Sequence, residues 1–104
     1  AQRSLEGLYE SELHRVKGDL LLKQARGAAE DAQVCLRRAV EIARAHQEKL
    51  LELRAVTSLS RLLNRQRKRE QARRLLAETY DWFTEGFATA DLKAAKALLE
   101  ELAS

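Results

Sequence analysis

The chain has 104 residues, enough for one domain, with 45% hydrophobic, 34% charged and 5% aromatic residues and no proline. Ala, Leu, Glu, Arg, Lys and Gln dominate, and these strong helix formers predict a single all-helical domain over residues 1–104. No apolar run reaches the roughly 20 residues of a membrane span, no basic-apolar leader opens the chain, and the net charge is a modest +3.

Cys35 is the only cysteine. It cannot form an internal disulfide, so the expectation is a reducing, cytoplasmic setting. The chain starts at Ala1 and contains no methionine, which leads to the expectation of a C-terminal fragment cut from a larger protein.

A first helix is predicted over Leu5 to Gln24. Tyr9, Leu13, Val16 and Leu20 recur at three- and four-residue steps and form one apolar stripe, which Leu21 widens. Gly18 interrupts this helix at about 1 kcal/mol against alanine, so it is expected to serve a close helix contact. Ala25 to Gly27 is the predicted turn, with Gly27 as a C-terminal cap.

A second helix is predicted from Ala28 to Gln47. Ala32, Leu36, Ala39 and Ala43 make its inner face, and Cys35, Ile42 and His46 a second line. After a weak break over Ala45 to Lys49, a third helix is predicted from Leu51 to Asn64. It carries two apolar lines, one through Leu53, Val56, Ser60 and Leu63 and one through Leu51, Ala55, Leu59 and Leu62. Two apolar faces suit a helix enclosed by neighbours.

Arg65 to Arg69 is the next turn. A fourth helix is predicted from Glu70 to Phe83, with Ala72, Leu75, Leu76, Thr79, Tyr80 and Phe83 inward. Thr84 to Gly86 breaks it. Thr89 suits an N-cap and Asp91 the positive end of the dipole. A fifth helix follows from Ala90 to Leu102. Its single stripe of Leu92, Ala95, Leu98, Leu99 and Leu102, backed by Lys93, Lys96, Glu100 and Glu101, is the pattern of a terminal capping helix.

One pattern occurs twice. Leu13, Gly18 and Leu21 followed by Ala32, Leu36 and Ala39 correspond to Val56, Ser60 and Leu63 followed by Ala72, Leu76 and Thr79. Small residues where paired helices touch, with large ones between, resemble the tetratricopeptide (TPR) pattern. The repeat is stretched from about 34 residues by its internal turn, and Ser60 and Leu63 stand where the family has glycine and tyrosine. The resemblance implies two TPR-like hairpins plus a capping helix, an α-α superhelix whose concave side is lined by the first helix of each pair.

A second resemblance rests on three blocks: Glu12 to Leu22; Leu53-Arg54-Ala55 with Ser58 to Leu62; and Tyr80 to Phe87 with Thr89 to Lys93. These resemble the C-terminal helical tail of large bacterial multidomain regulators of the predicted-ATPase or class III adenylate cyclase type. In that family the catalytic modules lie upstream of the tail, so the resemblance implies an interaction or scaffolding role for this segment and transfers no catalytic residue to it.

The chemistry-bearing residues point the same way. Gly7, Gly18, Gly27 and Gly86 are isolated, and no phosphate-cradling loop is present. Asp19, Asp31, Asp81 and Asp91 are scattered, without the paired loop carboxylates that hold catalytic metal ions. Glu10 and His14 share a helix face and read as a surface ion pair, since nothing fixes His46 or Cys35 as a third ligand. Cys35, between Val34 and Leu36, reads as a small hydrophobe. The predictions are therefore no enzyme activity, no cofactor and no metal.

Two surfaces are candidate contacts. Helix phase places Glu12, Arg15, Asp19, Arg54, Ser58 and Arg61 on the predicted concave side, facing a protein partner or other domains of the parent chain. The segment from Arg61 to Arg74 carries seven basic residues against the single acid Glu70. Within it, Arg65, Arg67, Lys68 and Arg69 are candidate contacts for an acidic partner or nucleic acid, or a solvated turn. The cluster contains no aromatic residue for base stacking. Tyr80, Trp82, Phe83 and Phe87 either seal the last hairpin or anchor a partner. A homodimer is a further expectation, through a face of the first helix left uncovered.

Overall fold

A computed structural model describes residues 5–24 and 28–103. It is all-helical: α1 Leu5–Gln24, α2 Ala29–Ala45, α3 Lys49–Arg65, α4 Arg69–Tyr80 and α5 Ala90–Ala103. Among the described residues there is no strand, and no helix is long and apolar enough to cross a membrane. Each helix packs on its neighbours in sequence, while α1 touches α3 and α3 touches α5. This puts α1, α3 and α5 in one layer and α2 and α4 in the other, with α3 in contact with all four other helices.

That central position explains the composition of α3. Leu53, Ala55, Val56, Leu59, Leu62 and Leu63 are buried on two faces, together with Thr57, Ser58 and Ser60. Leu36, Leu76 and Leu92 reach the same core from three different helices. Each fully buried leucine contributes roughly 1.5–3 kcal/mol over an exposed one.

The α1–α2 and α3–α4 crossings use small residues. Ala32 and Ala39 on α2 are fully buried against α1, and the Ser11 hydroxyl donates to the Ala39 carbonyl at 2.9 Å. A Cβ placed on Gly18 would lie 2.9 Å from Leu36 Cγ and 3.2 Å from the Ala32 carbonyl oxygen. At the corresponding crossing of α3 with α4, the Ser60 hydroxyl donates to the Ala72 carbonyl at 3.4 Å. The two crossings use the paired positions of the sequence repeat, Gly18 with Ala32 and Ser60 with Ala72.

The face of α1 that packs is therefore Gly7, Ser11 and Gly18, all buried. Leu21, which widens the predicted stripe, also packs on the core with Leu22, but the stripe itself lies elsewhere. Tyr9 is 68% exposed, Leu13 52%, Val16 41% and Leu20 49%. Close approach of two backbones through small residues gives more contacts per turn than a row of large side chains holding the helices apart.

Three boundaries differ from those predicted by more than a residue. α2 stops at Ala45, α3 starts at Lys49, and α4 stops at Tyr80 rather than Phe83. Beyond Tyr80 the backbone tightens, with Trp82 N–H donating to Thr79 and Phe83 N–H to Tyr80. Such three-residue bonds end a helix and turn the chain, here toward α5. Gly86 adopts φ +79 in that connection. Thr89 offers its carbonyl to Lys93 N–H, as an N-cap residue does, but its hydroxyl donates back to the Gly86 carbonyl at 2.8 Å. The predicted turn Ala25 to Gly27 and the Gly27 cap lie outside the described residues.

The α2–α3 and α3–α4 turns are built alike. Gln47 (φ 57) and Arg67 (φ 63) sit in the left-handed region. Glu48 N–H donates to the Ala43 carbonyl and Lys68 N–H to Leu63, both at 2.9 Å. These six-residue closures are Schellman-type helix ends made without the glycine that usually carries them.

Candidate functional site

The α1/α3/α5 face concentrates charge. Arg54, in the middle of α3, donates from Nε to Asp91 Oδ2 on α5 at 2.9 Å and from Nη1 to Glu12 Oε1 on α1. Arg15, one turn along α1, donates to Glu12 Oε2 at 2.6 Å and to Asp19 Oδ2 at 3.1 Å. The Ser58 hydroxyl donates to the same Asp19 oxygen at 3.2 Å. Five of the six residues placed on this side by helix phase thus form one network, which also takes in Asp91.

Burial acts on the Glu12 carboxyl to raise its pKa, but the hydrogen bonds from Arg15 and Arg54 outweigh it and hold the group below the ordinary glutamate value. Hydrogen bonds to Glu12 and Asp91 raise the Arg54 guanidinium in turn. Both shifts favour the charged forms, and the five side chains are turned toward one another.

Arg61 differs. It is exposed and, among the described residues, has no carboxylate partner. It lines three adjoining grooves of this face. One, of about 410 Å³, runs between α3 and α5 and is walled by Arg61, Asn64, Arg65, Ala94, Ala97, Leu98 and Glu101. The second reaches Arg15, Arg54 and Asp91, and the third reaches Asp19, Leu22 and Lys23 on α1. Arg65 lines the first and third grooves and likewise has no carboxylate partner among the described residues. Helix phase alone does not place Asn64, Arg65, Lys23 or Asp91 on this face. The spacing of Arg61 and Arg65, one turn apart, is the sequence signal that links them.

The basic segment divides into parts with different partners. Arg69 reaches α5, donating from Nε to the Leu102 carbonyl at 2.7 Å and from Nη2 to the Glu101 carbonyl at 2.9 Å. It satisfies the end of a helix whose last carbonyls have no intrahelical donors, and places a cation at the negative end of the dipole. Arg73 and Arg74 pair with Glu70 on their own helix. Arg67 and Lys68 are exposed at the turn, with no ion-pair partner among the described residues.

The aromatic group is likewise divided. Tyr80 and Phe83 are half-buried and pack on the core. Trp82 is 58% exposed, edge-on to Phe83 with ring centroids 5.2 Å apart and with Lys49 Nζ 5.4 Å from its ring. Phe87 is exposed and tilted against Tyr80.

Among the described residues, no three His, Cys, Asp or Glu side chains converge to hold a metal ion. His46 lies over Gly7, and Cys35 is half-buried in α2. Glu52 is buried and accepts hydrogen bonds from Arg44 at 2.8 Å and Lys49 at 3.3 Å, pinning the α2–α3 turn. Compared with known proteins, the chain matches no family model, no curated protein and no solved structure.

Proposed function

We propose that this domain is a non-catalytic interaction scaffold whose α1/α3/α5 face holds an extended, acidic segment of a protein partner. The observation that carries this reading is the contrast on one face. Glu12, Arg15, Asp19, Arg54 and Asp91 satisfy one another, while Arg61 and Arg65 point charge into a groove of about 410 Å³ without a carboxylate of their own. Two guanidinium forks one helical turn apart suit successive carboxylates of an extended chain, because each fork can take a carboxylate through two parallel hydrogen bonds. Asn64 adds an amide that can pair with the peptide backbone.

The paired crossings at Gly18/Ala32 and Ser60/Ala72 support a TPR-like arrangement of two hairpins closed by α5. With it goes the reading of the domain as the cytoplasmic tail of a bacterial ATPase- or cyclase-type regulator. The acidic segment would then belong to a partner or to another domain of the same regulator. A second reading rests on Arg67 and Lys68, which are exposed at the turn and suited to phosphates of nucleic acid.

Anisotropy titration of a fluorescein-labelled hexaglutamate peptide separates the readings. Binding in the range of about 10–100 μM at low salt is expected, with loss of at least about tenfold in Arg61→Gln/Arg65→Gln and at most about twofold in Arg67→Gln/Lys68→Gln. No peptide binding by the wild-type chain would refute the groove reading. Tighter binding of a labelled oligothymidylate, lost in the turn variant alone, would move the contact to nucleic acid.

A further inference from the structure

We propose that the solvent face of α1 is a self-association surface, on which two copies of the chain pair antiparallel, α1 against α1, about a two-fold axis between Leu13 and Val16. Tyr9, Leu13, Val16 and Leu20 are 41–68% exposed. They lie on the side of α1 turned away from both neighbours, since α2 packs on Ser11 and Gly18 and α3 meets Glu12 and Asp19. Their spacing of four, three and four residues is the a/d seam of a helix pair, not the broader stripe of a helix lying on a core.

The seam is self-complementary. In the antiparallel register Leu13 meets the other copy's Val16 and Tyr9 meets its Leu20, and the two-fold repeats each contact. All four apolar residues are used and none overhangs. On one flank this register sets Glu12 against the other copy's Asp19, both already paired with Arg15, and Glu12 also with Arg54, so the opposite flank decides the register. Antiparallel helices bring one flank of the seam against the same flank of the partner, and here that flank carries Glu10 and Lys17. Each Glu10 then faces a Lys17, twice per dimer. Both lack an ion-pair partner among the described residues, so the Glu10–His14 pair expected from their helix spacing is not formed. A parallel pair would instead need Glu12 for Lys17, and Glu12 already serves Arg15 and Arg54.

Four side chains with these exposures cover on the order of 400 Å² per copy. With their flanks, the pair lies at the low end of specific interfaces, so a dissociation constant of about 10–100 μM is expected.

Sedimentation equilibrium of the 104-residue chain from 5 to 500 μM is the test. The wild type is expected to dimerise across that range. Leu13→Glu, at an exposed position, is expected to keep the wild-type circular dichroism and to weaken the dimer at least about tenfold. Lys17→Glu puts glutamates face to face and is expected to weaken it about tenfold, and Glu10→Lys/Lys17→Glu to restore it within about twofold. A chain monomeric throughout, a dimer indifferent to Leu13→Glu, or a charge swap that fails to restore pairing would each overturn the proposal.

Discussion

Replacing Gly18 with alanine sets two effects of opposite sign against each other. Alanine favours the helix by about 1 kcal/mol over glycine at a mid-helix position. Its Cβ, however, would lie 2.9 and 3.0 Å from Leu36 Cγ and Cδ2 and 3.2 Å from the Ala32 carbonyl oxygen. Carbon atoms prefer roughly 3.5–4.0 Å. Leu36 is fully buried and cannot swing aside without displacing its own neighbours, and the carbonyl belongs to the α2 ladder. The helices must separate by roughly half an ångström, at the usual overpacking cost of about 1–3 kcal/mol. The balance is a loss of about 1 kcal/mol, or about 4–8 °C in Tm for a domain of this size.

The measurement is urea unfolding followed by far-ultraviolet circular dichroism, with Leu36→Ala and the double variant completing a cycle. Leu36→Ala alone should cost about 2–5 kcal/mol. In the double variant the two costs should fall short of additive by about 1 kcal/mol, because the leucine side chain that the added methyl group meets has gone. A Gly18→Ala variant as stable as the wild type, or strict additivity in the cycle, would refute the close α1–α2 contact.

The left-handed turn positions predict gains. Gln47→Gly and Arg67→Gly should each stabilise the domain by about 0.5–1 kcal/mol in the same assay, since glycine takes φ near +60 without the Cβ penalty. A loss at either site would show that its side chain contributes more than its backbone strain costs. The Glu12 network predicts an acid dependence. Glu12 has a lowered pKa in the folded chain, so its contribution is complete above the ordinary glutamate value of about 4.3 and is lost as pH falls through the lower folded value. Glu12→Gln should therefore cost a few tenths to about 1 kcal/mol at pH 7, typical of a partly exposed ion pair, and less at pH 2.5. A difference unchanged between the two pH values would show that the carboxylate charge contributes nothing.

The helices were legible because their stripes repeat at three and four residues. The two lines on α3, Leu53/Val56/Ser60/Leu63 and Leu51/Ala55/Leu59/Leu62, correctly mark it as the enclosed helix. The orientation of α1 was not legible from the same signal. Apolar and polar side chains are spread around α1, and the largest apolar ones lie opposite the glycines and serine that pack. Periodicity finds a stripe but does not say whether core or solvent faces it. The turns at Gln47 and Arg67 carry no glycine, so their geometry left no mark in the sequence. Helix phase brought Glu12, Arg15, Asp19, Arg54 and Ser58 onto one side, but pairing depends on distances between helices that phase does not contain. Phase alone therefore gives Asp91 a dipole role and Arg69 a partner contact, where the structure bonds Asp91 to Arg54 and makes Arg69 the anchor of α5.

Arg54 has a consequence for the shape of the face. A single planar fork spans Glu12 on one helix and Asp91 on another, with α3 between them. Its breadth acts as a spacer, fixing how far apart the outer helices stand at that level. Lysine, with one nitrogen, cannot hold both carboxylates in this fork geometry. Arg54→Lys would preserve the charge and release the spacing, leaving α1 and α5 linked at that level only through α3 while α2 and Arg69 still hold their other sides. The groove would then have a variable width, and the distance between Arg61 and the α5 wall would be set by whatever lies between them.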